Sequence, residues 1–182
     1  MVVIGLGNPG EEYQDTRHNA GRNIARAFAK KNGASAFVYN KKAAALVSEG
    51  KLKKAMVSII LPETFMNKSG KTVETLKIKP KGLLLIHDDS DLELGKMKFS
   101  FSKSSAGHKG VESVMRALKT KDFWRLRVGI QKKKRVNAED LVLMKFAPQE
   151  KKGFSEVTRK ASLAIEIFLI EGPEKAMSIY NK

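Results

Sequence analysis

Two short, uninterrupted apolar runs limit what this chain can become. Met1–Leu6 breaks into the glycine turn Gly5-Leu6-Gly7-Asn8-Pro9-Gly10, and Leu83–His87 breaks into the acidic cluster Asp88-Asp89-Ser90-Asp91. Runs of this length, bounded by turn residues, read as buried strands. Arg17–Lys31 carries Ile24, Ala25, Phe28 and Ala29 at helical spacing and stops at Asn32-Gly33, a helix C-terminal signal. Phe37–Tyr39, Ala43–Ser48 and Met56–Leu61 read as strands. They are joined through Asn40-Lys41-Lys42 and the Gly50–Lys54 turn. Ser69–Leu76 reads as a short helix with Ser69 as its N-cap.

The second half repeats the alternation. Lys96–Phe101 puts Met97, Phe99 and Phe101 on one face of a strand. Val111–Leu118 reads as a helix and Leu126–Ile130 as a strand. Ala138–Lys145 and Glu150–Ile170 read as helices, the latter with a core stripe of Ala161, Leu163, Ala164, Ile167 and Phe168. Gly172-Pro173 breaks that helix, and Glu174–Tyr180 closes the chain helically. Strands alternating with helices predict an α/β fold with a mixed central sheet. The 182 residues suit a single domain over 1–182.

Charge narrows the class of partner. Lys and Arg number 35 against 19 Asp and Glu, a net +16, which favours a polyanion. The chain has no cysteine, which excludes disulfides, thiolate zinc and a cysteine nucleophile. Its N-terminus lacks the basic opening of a secretory signal, and no apolar stretch approaches the ~20 residues of a membrane helix. A cytoplasmic protein is expected.

Several segments offer chemistry. Gly5–Gly10 matches a dinucleotide fingerprint. However, Pro9 removes a donor from that loop, the next helix opens only near Arg17, and no acid stands about 20 residues on. What remains is a tight turn that presents Asn8 at the end of a strand, where α/β folds bind ligands. His18 opens the first helix, off its apolar stripe. Asn67 is either offered near a helix start or caps that helix. One carboxylate of the His87–Asp91 cluster could orient a histidine base; the cluster lacks calcium-loop spacing, so no metal is expected. Ser102–Gly110, with Lys103, His108 and Lys109, is either a linker or an anion-wrapping loop. Lys132–Arg135 is either a solvated loop or a phosphate contact.

In order along the chain, Gly5–Gly10, Tyr13, Thr16–Asn19 with Gly21, Leu61–Gly70, His87–Leu92, Gly107–Gly110, Phe123–Ile130, Val142–Phe146 and Ala176–Asn181 resemble bacterial-type peptidyl-tRNA hydrolases. The resemblance implies a single α/β domain with a mixed, twisted sheet surrounded by helices. It implies hydrolysis of the ester joining a peptide to the terminal ribose of tRNA, with no metal, cofactor or covalent intermediate. It implies His18 as general base and Asp91 as its orienting carboxylate. Asn8 and Asn67 would hold the peptide and the 3′ end, and Tyr13 and Met66 would line the cleft with His108 and Lys109 beside them. Lys103 and Arg127 would meet tRNA phosphate, and the protein would act as a monomer. Lys109 departs from the family's usual asparagine; it either binds phosphate or weakens catalysis. The loop Lys103-Ser104-Ser105-Ala106 also lacks the family's glycines. The alternative is a relative that binds RNA without cleaving it, as plant organelle splicing factors of this fold do.

Overall fold

The computed structural model describes residues 1–53 and 55–181. Its strands are β1 (Val2–Gly5), β2 (Val38–Asn40), β3 (Ala45–Leu52), β4 (Ala55–Pro62), β5 (Leu83–Glu93), β6 (Met97–Phe101) and β7 (Trp124–Gln131). Its helices are α1 (Ala20–Lys31), α2 (Gly70–Thr75), α3 (Lys109–Leu118), α4 (Ala138–Leu143), α5 (Pro148–Glu171) and α6 (Pro173–Tyr180). One seven-stranded sheet runs β2-β3-β4-β1-β5-β7-β6. The four central strands are parallel, and β3, β2 and β6 add antiparallel margins. The mixed α/β sheet expected from the alternation is present, with helices on both faces.

Neighbouring β1 residues separate the two faces. Val3 joins the apolar cluster under α1, α5 and α6, which includes Ile24, Phe28, Ala161, Ile165 and Phe168. Ile4 joins the cluster under α2 and α3, with Val73, Val111, Val114 and Phe123. A smaller cluster of Ala20, Ile130, Leu141 and Phe146 seats α4 at the end of the sheet. No helix among the described residues is long and apolar enough to cross a membrane.

Four local expectations are corrected. β5 does not stop at His87: it continues to Glu93 through a register shift after Asp89, so the acidic cluster lies along a strand. Phe101 is not buried. It lies beyond the helical cover, exposed, with its ring 5.1 Å from that of Trp124. Ser69 makes no side-chain cap; its hydroxyl donates back to the Met66 carbonyl. In α5, Ile165 is fully buried where Leu163 was expected. Lys54, part of the expected hairpin turn, lies outside the described residues.

At the outer edge of the sheet, Asn181 closes onto β6. Its Oδ1 accepts the Phe99 N–H at 2.7 Å and its Nδ2 donates to the Phe99 carbonyl at 3.0 Å.

The sheet positions α1 through one close approach. A Cβ at Gly21 would stand 2.3 Å from the Ile86 carbonyl oxygen, so only glycine lets the helix start lie flush on β5. Gly21→Ala should therefore force the helix outward, at a cost of about 1–3 kcal/mol by the usual penalty for overpacking. Denaturant unfolding should show a lowered midpoint with an unchanged slope, and turnover should fall with it. Wild-type values of both would show that the contact yields freely.

Candidate active site

The site forms where β1, β4 and β5 end and α1 and α3 begin. The β1 turn delivers Asn8. The Asn8 main chain is placed by a neighbour to which the sequence assigns no role: Asn19 Oδ1 accepts the Asn8 backbone N–H at 2.8 Å and Asn19 Nδ2 donates to the Asn8 backbone carbonyl at 3.0 Å. Asn8 Oδ1 in turn accepts the Met66 N–H at 2.8 Å. That donor fixes the orientation of the Asn8 amide, because only its oxygen can accept. Its Nδ2 makes no hydrogen bond among the described residues and is available to a ligand.

His18 lies in a 3-10 turn, Arg17–Asn19, that runs directly into α1. Its Nδ1 is 2.9 and 3.0 Å from the two oxygens of Asp88. Asp88 also receives His108 Nε2 at 2.9 Å. Asp91, expected as the carboxylate partner of His18, is corrected to Asp88. Strand β5 leaves the protein interior after Asp89. Asp88 is 1% exposed, whereas the Asp91 side chain is half in solvent and paired with Arg135. Three residues of strand, about 10 Å, separate the two. The sequence contains three acids within four positions and gives no register that singles out the buried one.

His108 is held by an unusual cap. Its Nδ1 accepts the backbone N–H groups of Gly110 and Val111 at 3.1 and 3.2 Å, closing the start of α3. An acceptor nitrogen carries no proton, so in the neutral ring the proton is on Nε2 and points at Asp88. His18 Nδ1 likewise donates to Asp88, leaving His18 Nε2 as a lone pair with no hydrogen-bond partner among the described residues. His18, Asp88 and His108 otherwise have metal-ligand spacing, with ligand atoms within 4.8 Å of one another. The cap argues against a metal there: binding through His108 Nε2 would strip the ring of its last proton. His87 packs edge-on to His108 at 4.8 Å, fully buried. Burial, reinforced by His108 and Arg125, holds it well below the usual imidazole pKa, so it stays neutral.

The electrostatics follow from that geometry. Burial would lower the His18 pKa, but the Asp88 charge and hydrogen bond outweigh it and the value is raised; Lys109 pulls the other way. Burial would raise Asp88, but His18 and His108 hold it far below the ordinary carboxylate range. A raised imidazole pKa stabilises the fold below its unfolded pKa, and that contribution is lost as pH rises through the raised value. The depressed Asp88 value contributes above the ordinary carboxylate pKa and is lost only under strong acid.

The remaining expected residues have distinct placements. Met66 is buried beneath the turn, and Asn67 is exposed beside it, with no capping bond to α2. Tyr13 meets the exposed Phe65 ring edge-on at 6.3 Å, forming a rim. Lys109 is exposed at the first position of α3. Lys103 is exposed on the preceding loop, which Arg125 ties down by donating to the Ser104 carbonyl at 2.9 Å. Arg127 is paired with Asp89 and stands opposite Lys98 across β6–β7. Two buried arginines brace the whole. Arg17 donates to the Ile130 carbonyl, pairs with Glu150 and lies over the Phe146 ring. Arg22 donates to the Pro62 carbonyl and pairs with Glu63 at the root of the Met66 turn.

The family model described as peptidyl-tRNA hydrolase matches residues 2–182. The chain belongs to the peptidyl-tRNA hydrolase family. It is 39% identical to the peptidyl-tRNA hydrolase of Thermodesulfovibrio yellowstonii, over 100% of this chain and 99% of that protein. It is 40% identical to that of a Thermoanaerobacter species, over 99% and 98%. The crystal structure of peptidyl-tRNA hydrolase from Acinetobacter baumannii superposes with a TM-score of 0.87 at 29% identity, covering 97% of this chain and 92% of that one.

Within a peptidyl-tRNA hydrolase site built this way, two substitutions separate the carboxylates. Asp88→Asn should lower turnover by about 10²–10⁴-fold and move the acidic limb of the pH–rate profile downward, because a neutral amide no longer favours the imidazolium. Asp91→Asn should leave both unchanged. The opposite pattern would return the role to Asp91.

Proposed function

We propose that this peptidyl-tRNA hydrolase cleaves the ester between a peptide and the 3′-terminal ribose of tRNA by direct attack of water, with His18 as general base and Asp88 as its partner. The observation that carries the reading is the free Nε2 of His18, whose ring is fixed through Nδ1 by the buried Asp88. Nε2 takes a proton from water as its oxygen adds to the ester carbonyl. The tetrahedral oxyanion then collapses, the ribose 3′ oxygen leaves, and the imidazolium returns the proton to it. The products are a peptide carboxylic acid and a free tRNA end.

Other residues support that sequence. Asn8 Nδ2 and the exposed Asn67 amide can donate to the carbonyl oxygen and to the peptide backbone, where charge develops. Tyr13 and Phe65 give the cleft an apolar rim for the peptide or the terminal base, with Met66 packed beneath it. Lys109 adds a cation beside His18, suited to phosphate rather than to ordering water, since an ammonium only donates. Lys103, Lys98 and Arg127 face the acceptor phosphates, and the +16 charge suits an RNA substrate. The reading includes a cytoplasmic, monomeric protein that works without a cofactor. An intact base with an open Nε2 gives no support to the alternative of RNA binding without cleavage.

The test is incubation with an N-acetyl-aminoacyl-tRNA, following release of the N-acetyl amino acid. His18→Ala should reduce single-turnover cleavage by at least about 10²-fold while tRNA affinity stays within a few-fold. Near wild-type cleavage by the variant would remove His18 from the mechanism.

A further inference from the structure

A groove of about 380 Å³ opens between α2 and α3, outside the site described above. Its floor is a helix contact: Gly70 N–H donates to Ser113 Oγ at 2.9 Å, and a Cβ at Gly70 would stand 2.2 Å from the Ser113 carbonyl oxygen. Because the backbones meet there, the long side chains on either side become walls. These are Lys68 and Lys71 on one side and Arg116 and Lys119 on the other, with Glu74 the only carboxylate in the lining. All four cations are exposed, and none is in an ion pair among the described residues. Arg17, Arg22, Arg127 and Arg135, by contrast, each hold an acid.

The elements that line the groove lead back to the catalytic centre. Lys68 directly follows Asn67. Lys109, whose charge reaches His18, lies two helical turns before Arg116 on the same face of α3. From Lys109 to Lys119 the helix carries these cations over about 15 Å. The β6–β7 cations Lys98 and Arg127 occupy a separate region of the sheet, so they do not account for this row. A concave, unpaired cation row that starts at the reacting ester fits a phosphate backbone leading to it.

We propose that the α2–α3 groove is a second phosphate-binding surface, holding backbone phosphates of the tRNA strand whose 3′ end carries the ester. The proposal rests on the reading of tRNA as substrate. It assigns to Lys68, Lys71, Arg116 and Lys119 a share of substrate affinity and none of the chemical step.

The test is the exposed double charge reversal Lys71→Glu/Arg116→Glu. Its control is Lys160→Glu/Lys175→Glu, which makes the same change in net charge on the α5–α6 face. Affinity for uncharged tRNA is measured across a salt series. Turnover is measured on N-acetyl-aminoacyl-tRNA and on an N-acetyl-aminoacyl-adenosine fragment. The groove variant should lose about 0.7–0.9 of the log–log salt slope per lost phosphate contact and raise KM for the tRNA substrate at least about tenfold. Its kcat and its fragment turnover should stay at wild-type values, and the control should retain most of its affinity and slope. Wild-type affinity and slope in the groove variant, or an equal loss in the control, would overturn the proposal. If the unaltered protein cleaved neither ester, the hydrolase reading would fall, while the affinity series would still decide the groove.

Discussion

One buried carboxylate organises the functional end of this molecule. Asp88 takes a hydrogen bond from His18 Nδ1 and another from His108 Nε2, and it is almost fully withdrawn from water. A charge in that position is tolerable only because two N–H donors converge on it. Each donor is itself fixed by main-chain structure. His18 sits in the turn that becomes α1, and His108 is pinned by the first free N–H groups of α3. Two helices and the central strand therefore meet at a single side chain. The tautomer of the neutral His108 ring follows from the backbone N–H groups of α3 and that of His18 from the Asp88 carboxylate, rather than from solvent.

The arginines show how that geometry is protected. Arg17 is fully buried next to His18, and its guanidinium joins α5, the end of β7 and the Phe146 ring. Removing Glu150 alone would leave an uncompensated buried cation, a larger loss than the pair's net contribution. Arg22 does the same for the turn bearing Met66 and Asn67. The positions of His18 and of the Met66 turn depend on charges that lie outside the site itself.

Much of this was legible in the sequence, for reasons that differ by residue. The alternation of strands and helices, and with it the mixed α/β sheet, could be read because continuous apolar runs alternate with helical stripes, and such patterns survive tertiary packing. His18 and Asn8 stood out because each follows a strand or opens a helix where ligands bind. Asp88 did not, because its distinction from Asp91 is burial, set by how far β5 extends into solvent. The two bracing arginines were missed because their partners, Glu150 and Glu63, lie far along the chain, and Asn19 because its bonds to Asn8 exist only once the glycine turn folds back onto the start of α1. The Asn19 side chain leaves a trace only in three dimensions. Phe101 was misplaced because alternation assigns a face to a residue without saying where the cover over that face ends.

The C-terminal Asn181 has a consequence beyond the site. β6 is an outer strand, and an outer strand offers unpaired peptide groups to any chain that approaches. At Phe99 both of those groups are already taken by one side-chain amide, which imitates the peptide of a neighbouring strand. A chain ending a few residues earlier would keep its catalytic machinery and lose this cover. Its first symptom would be self-association through β6 rather than a slower reaction.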